Sequence, residues 1–260
     1  MDDNIVKDFW ESQAETFKDD VKAVNFDPLE EELELFFLDQ LVQDGESVCD
    51  LGCGNGRTLF DLALRKPKSD FHGVDFAENM IKIASDTKNS LGVENITFYH
   101  LSAGSDDLEN TLMHKYDKII SKRLLINLNK NDKLTAVQNI YKMLKDDGNY
   151  IMVECFMEPL ERINRIREKL GLSKIKTKFF NEYLSEEFII EICNMFVLER
   201  EIDFESLYYF ISRVFNASLS QGEPDYHAPI NRLSLELTKM GVNPIRGLSP
   251  EKIIIFNKKR

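Results

Sequence analysis

The chain has 260 residues, 43% apolar and 30% charged, with 12 Gly and 7 Pro; this is room for one large α/β domain or two small ones, and it excludes collagen-like, low-complexity and largely disordered classes. The net charge of −12 is uneven, because the first fifty residues hold sixteen of the 45 acidic side chains and three of the 33 basic ones, an acidic leader that repels a long polyanion and disfavours nucleic acid as a partner. Apolar runs fall far short of the ~20 residues of a membrane span and the N-terminus lacks a signal-peptide pattern, so the expectation is a cytoplasmic protein with no membrane partner.

In chain order, Leu29 to Val42 places Leu33, Phe36, Phe37 and Leu41 at helical spacing beside an acidic face, an amphipathic helix leading into the core. Ser47–Leu51 reads as a strand, followed by a glycine turn and a helix from about Thr58 to Arg65 that Pro67 stops. Strand-like pieces recur at Phe71–Asp75, Ile96–His100, Lys118–Ser121 and Tyr150–Glu154, separated by helical patterns at 78–91 and 131–145, with Gly148 read as the left-handed cap of the last helix. This alternation implies βαβ units and a parallel sheet covered on both faces. Beyond Glu154 come polar helices with loops over 158–193, a strand at 195–203, an aromatic-rich helix or irregular segment at 206–219, and a last strand at Lys252–Asn257.

The expected layout is one domain: a helical lead-in (1–44), a ligand-binding core (45–155), cap segments (156–194 and 204–250) and closing strands (195–203 and 251–257). Cys49, Cys53, Cys155 and Cys193 form no CxxC pair and no zinc-like spacing with histidine, so free thiols and no metal site are expected.

The most informative stretch is Val48 to Arg57, VCDLGCGNGR, which leaves a strand, turns on glycines and enters a helix. Glycines allow close ligand approach and the helix N-terminus offers free N–H groups. A dinucleotide fingerprint would put a third glycine at Arg57. Asp50 would repel a pyrophosphate, whereas it would attract a ligand carrying an α-amino group. Asp75 ends the second strand, where a carboxylate can accept hydrogen bonds from both hydroxyls of a ribose.

VCDLGCGNGR and GVDFAENMIKIA together resemble the first motif and the strand-two signature of the class I S-adenosylmethionine (SAM)-dependent methyltransferases. The resemblance covers roughly residues 45–155, continuing through YDKIISKRLLINL and LKDDGNYIMVE. It implies an α/β fold with a Rossmann-like seven-stranded, mostly parallel sheet, its last strand antiparallel, helices on both faces and a helical cap after strand five. It also implies SAM as cofactor and S-adenosylhomocysteine as product. On that resemblance Asp50, Gly52, Cys53, Gly54 and Asn55 cradle the methionine part and Asp75 holds the ribose. Phe76 and Met80 either pack on adenine or belong to the core, and Ser102 with Ala103 stands where the family often has an acidic residue for the adenine amino group. Ser121 would lie beside the sulfonium, and the Asn-Pro-Pro-Tyr motif of nucleic-acid amino-methyltransferases is absent there.

SAM carries an activated methyl group, so the protein has mainly to align an acceptor and exclude water, and positioning alone supplies ~7–11 kcal/mol. A base for the acceptor proton adds ~10²–10⁴-fold. Glu154, closing the fifth strand, is the first candidate, with a structural ion pair as its alternative; His227, in the loop 223–229, is the second. Seven basic residues between Glu161 and Lys178 read either as a solvated helix face or as capture of an anionic acceptor. Candidate acceptor contacts are Arg123, Arg165, Tyr183, Tyr209 and Arg213.

RLLINL and LYYFISR also resemble bacterial methyltransferases of surface-polysaccharide gene clusters, which implies a phosphorylated or nucleotide-linked sugar or a capsule phosphoramidate precursor as acceptor. Phe9, Trp10 and Phe17 resemble an aromatic lead-in that folds over bound SAM, or else form a helix on the sheet edge. The function expected is methyl transfer to O or N of a small polar acceptor. Its rivals are a SAM-fold binding protein without turnover and a nicotinamide-dependent oxidoreductase.

Overall fold

The computed structural model describes residues 3–18, 20, 27–220 and 225–259. In chain order its elements are α1 (Asp3–Phe17), α2 (Pro28–Leu41), β1 (Ser47–Leu51), α3 (Arg57–Arg65), β2 (Asp70–Asp75), α4 (Glu78–Leu91), β3 (Ile96–His100), α5 (Leu108–Leu112) and β4 (Tyr116–Lys122). There follow α6 (Lys130–Met143), β5 (Leu144–Cys155), α7 (Met157–Lys169), α8 (Glu186–Ile192), β6 (Phe196–Ile202), α9 (Ser206–Phe210), α10 (Ala217–Leu219), α11 (Pro229–Lys239) and β7 (Glu251–Lys258).

The seven strands make one sheet in the order β3-β2-β1-β4-β5-β7-β6. β1 to β5 pair in parallel and β7 runs antiparallel to both its neighbours, the Rossmann-like arrangement expected. Val48, Cys49 and Leu51 on β1 are fully buried, as a strand covered on both faces requires. One core packs Val137 and Ile140 of α6 on Ile119 and Met152; the other packs Leu33 and Leu38 of α2 and Leu62 of α3 on Val48 and Ile253. Strand order reverses between β1 and β4, and in such sheets ligands bind outside the carboxyl ends of the strands at that reversal.

Two local readings change, and one open alternative is decided. β5 starts at Leu144, and Gly148 is not left-handed. It sits where the β4–β5 register slips from Tyr116↔Leu144 to Lys118↔Asn149, and a Cβ there would lie 2.9 Å from the Tyr116 carbonyl oxygen. Its glycine serves close backbone approach in a bulge. The 206–219 segment is helical, with a π-helical stretch at Ile211–Asn216 between α9 and α10.

Part of the acidic face of α2 turns inward. Asp27 caps the helix, its Oδ1 accepting from the N–H of Leu29 at 3.0 Å and of Glu30 at 3.2 Å, while Glu31 and Glu34 are buried beside Arg57 and Lys122 at 3.0 and 2.8 Å. Part of the acidic leader's charge is thus matched inside the molecule. The segment after α7 returns to the carboxyl ends of the sheet, where the Leu184 N–H donates to the Cys155 carbonyl at 2.9 Å and that of Glu182 to Ile126 at 2.8 Å. Among the described residues no helix is long and apolar enough to cross a membrane.

Candidate active site

At the β1/β4 reversal lies a cavity with about 1120 Å³ of free space, the solvent at its mouth included. Its floor is the turn between β1 and α3. Gly52, Gly54 and Gly56 have φ of 79°, 54° and 80°, the left-handed region that side chains resist. Gly56 has a second constraint, because a Cβ there would lie 2.7 Å from the Phe98 ring. The N–H groups of Gly52 and Cys53 both donate to the Val74 carbonyl, at 2.7 and 3.0 Å, which locks the turn to the end of β2.

Two carboxylates bracket the turn. Asp50 is buried and its Oδ1 has no hydrogen-bond partner; burial, reinforced by Asp75 and opposed by Lys122, pushes its pKa up to about 7. Such an atom calls for a donor from the ligand. Asp75 is also buried, its Oδ2 accepting from the Gly54 N–H at 2.8 Å and its Oδ1 from that of Ala77 at 2.9 Å. Burial outweighs these bonds and raises its pKa to about 6. Each oxygen keeps a second lone pair for a ligand hydroxyl.

Of the residues expected to hold the cofactor, Asp50, Gly52, Cys53, Gly54, Asn55, Asp75, Phe76, Met80, Ser102 and Ala103 all line this one cavity. Met80 also packs with Ala14 and Ala77 in a small core that includes Trp10. Ser121 does not line the cavity: its Oγ lies 2.7 Å from the Tyr150 hydroxyl and donates to Glu154 at 3.5 Å, fully buried.

Glu154 also sits elsewhere than expected. It is fully buried and its Oε1 accepts from the N–H groups of Leu124 and Leu125 at 2.9 and 2.7 Å. These two donors open the 3-10 turn Leu125–Asn127, and Leu124 is the side chain that a Cβ on Gly52 would meet at 3.0 Å. Burial raises the Glu154 pKa to about 7 although the backbone bonds oppose it. Through Oε1 Glu154 seats the wall of the cavity against its floor, while its Oε2 is buried without a hydrogen-bond partner. His227 is exposed, outside the cavity lining; residues 223 and 224 of its loop lie outside the described residues.

The candidate acceptor contacts are spread out. Arg123 lines the cavity with φ of 50°, a strained backbone for a long side chain, held by its N–H donating to the Val153 carbonyl at 2.8 Å. Its guanidinium bonds Glu34 and reaches Glu251 at 3.0 Å. Arg213 is buried against Asp27 at 2.8 Å and stacks on Tyr209 at 4.9 Å and Tyr226 at 4.7 Å. Tyr183 is half-buried beside Cys155, whose proximity with burial raises its phenol pKa. Arg165 is exposed on α7, whereas its neighbour Arg167 is buried, donating to the carbonyls of Ser173 and Arg213. The basic run is therefore not one anion-catching face.

Sequence reasoning missed Lys122, Leu124, Asn127 and Asp132 in the lining; a polar cluster after strand four was the available signal. The aromatic lead-in is placed as well. Val6 and Trp10 of α1 line the cavity, and Glu11 accepts from the N–H groups of Glu78 and Asn79 at 2.8 and 3.0 Å, capping α4 from outside. The Asn55 amide donates to the Lys18 carbonyl at 3.0 Å. Phe9 and Trp10 meet Phe180 of the cap at 4.7 and 6.5 Å, with the Lys178 ammonium over both rings at 4.8 and 5.0 Å.

A family model described as a methyltransferase domain matches residues 42–192. The chain belongs to that family, and with this sheet and cavity it is of the SAM-dependent methyltransferase class. Carboxy-S-adenosyl-L-methionine synthase of Nautilia profundicola is 30% identical over 184 residues, 68% of this chain and 73% of that protein. Malonyl-[acyl-carrier protein] O-methyltransferase of Bacillus cereus is 31% identical over 153 residues, 57% of this chain and 53% of that one, so the chain spans about half that relative's length. The N-methyltransferase NodS of Bradyrhizobium japonicum WM9, solved with S-adenosylhomocysteine, shares the fold at a TM-score of 0.58 and 12% identity, covering 97% of this chain and 99% of NodS.

Proposed function

We propose that this protein transfers the methyl group of SAM to an oxygen or nitrogen of a small polar acceptor. The observation that carries the reading is the buried Asp50 with its unpartnered Oδ1, in the lining of a cavity floored by left-handed glycines. A pyrophosphate would be repelled there, whereas an ammonium would complete the hydrogen bonding.

In this reading Asp50 and the glycine turn hold the amino-acid end of SAM, Asp75 takes the ribose hydroxyls with its remaining lone pairs, and Phe76, Met80, Ser102 and Ala103 meet the adenine. SAM supplies a methyl group already activated on a cationic sulfur. The protein's part is enclosure and alignment: α1 roofs the cavity, and Leu124, fixed by Glu154, sets its far wall. No side chain in the lining is required to act as a base for an acceptor that is already nucleophilic.

Residues 156–194 and 204–250 form the acceptor side in this proposal, and the enzyme works in the cytoplasm on a small molecule rather than on nucleic acid. Some relatives are named for other acceptors: an acyl-carrier protein, a protein lysine and ribosomal RNA. The phosphorylated-sugar and capsule version of the proposal rests on the resemblance of RLLINL and LYYFISR alone. Arg123 and Arg213, which it needs for anion capture, are already held by carboxylates, so an uncharged or cationic acceptor fits better. Calorimetry with SAM, S-adenosylhomocysteine and NAD tests the donor assignment: both sulfur ligands should bind and NAD should not, and binding of NAD alone would defeat it.

A further inference from the structure

Away from the cavity lining, a cluster of titratable groups has no part in donor binding. Glu30 of α2, Glu205 at the head of α9 and Glu251, the first residue of β7, bring one carboxylate oxygen each within 4.8 Å of one another. Glu205 and Glu251 are buried and Glu30 is mostly buried, its side chain 13% exposed. Around them Arg123 lies 3.0 Å from Glu251, Arg213 lies 3.7 Å from Glu30, and the Ser249 hydroxyl donates to Glu205 Oε1. Glu205 Oε2 has no partner, although the residue is completely buried.

Among the described residues the guanidiniums of Arg123 and Arg213 reach Glu251 and Glu30, but no donor reaches Glu205 Oε2, and a buried acidic oxygen left without a partner is unfavourable. Oxygen ligands on a hard divalent cation stand ~2.3–2.6 Å from the ion, so any two of them lie no more than about 5 Å apart, and these three oxygens fall within that limit. With no thiolate or imidazole in the set, a soft metal is not favoured.

We propose that Glu30, Glu205 and Glu251 bind one hard divalent cation of the Ca²⁺ or Mn²⁺ kind, tying α2, α9 and the start of β7 together behind Arg123. The unpartnered Glu205 oxygen is a ligand, and water entering past Glu30 fills the remaining positions.

The test is titration of the full, chelator-treated chain with Mn²⁺ followed by electron paramagnetic resonance, and with Ca²⁺ by calorimetry. One ion per chain is expected. Glu205→Gln and Glu251→Gln, which keep the side-chain shape, should each weaken Mn²⁺ binding by at least about tenfold. Glu32→Gln, on α2 but paired with Arg232 and Lys239 outside the cluster, should leave it unchanged. SAM affinity measured on the same samples keeps this result separate from the methyltransferase reading. A wild-type chain that takes up neither ion by about 1 mM overturns the proposal whatever the variants do; so do folded Gln variants that bind as tightly as wild type.

Discussion

The glycine turn and the ion-pair cluster around Arg123 are built by different means. On the donor side Asp50, Gly52, Gly54 and Gly56 are neighbours in one turn, and a second short segment brings Asp75 to it through a single bond to the Gly54 N–H. At the cavity wall Arg123 is held by Glu34 and Glu251, partners 89 and 128 residues away in the chain. Local backbone geometry makes the first and long-range ion pairing makes the second. The turn should accordingly be sensitive to backbone changes, and the ion-pair cluster to loss of individual charges.

Gly56→Ala is the most severe way to break the donor side. It combines a left-handed φ of 80° with a Cβ 2.7 Å from the Phe98 ring, and should lower unfolding stability by about 3 kcal/mol in urea titration. A loss near zero would mean that the turn is not rigid. Asp75→Ala should weaken SAM binding by ~1–3 kcal/mol in calorimetry, and undiminished affinity in a folded variant would overturn the ribose assignment.

Glu154 sharpens the comparison, because a single buried carboxylate holds the backbone that packs beside the turn. Glu154→Ala strands the N–H groups of Leu124 and Leu125 and should reduce stability by about 2 kcal/mol. Glu154→Gln keeps an acceptor oxygen and should preserve both stability and the pH profile of turnover. A turnover profile that loses its ionisation in the Gln variant would restore Glu154 as a base.

The pH dependence of SAM binding tests Asp50 directly. Burial holds its pKa at about 7, so below that pH the carboxyl is neutral and cannot pair with an ammonium. Affinity should rise with pH, by up to about tenfold per unit below that value, and Asp50→Asn should flatten most of the rise. The stability of the free protein runs the other way. A carboxyl raised in the folded state contributes stability that is full below its ordinary pKa and is lost as pH climbs through about 7. The smallest effect is expected at the roof: Trp10→Ala should weaken SAM binding by about 1 kcal/mol, and unchanged binding would assign α1 to packing on α4 alone.

Legibility followed the same division. The strand–turn–helix from Val48 to Arg65 and the strand ending at Asp75 were readable to within a residue or two, because apolar alternation and glycine punctuation act over a few positions. Glu154 is legible as a carboxylate at a strand end, but its bonds to the Leu124 and Leu125 N–H groups are not, since a carboxylate facing an acceptor and one facing two backbone N–H groups look identical in sequence. Gly148 was recognised as necessary for the wrong reason, a left-handed cap instead of a bulge with a carbonyl too close for any Cβ.

What the amino-acid order determined by itself was the set of strands and helices, the bent donor turn and the two aspartates beside it, since each depends on interactions within a few residues. What only the tertiary structure decided was the fate of the charges. The acidic side of α2 is legible in the sequence, but Glu31 and Glu34 are internal only because Arg57, Lys122 and Arg123 arrive from elsewhere to meet them. Hydrophobic period marks which side of a helix is apolar, but whether a carboxylate faces water or a buried cation depends on what the sheet places opposite it.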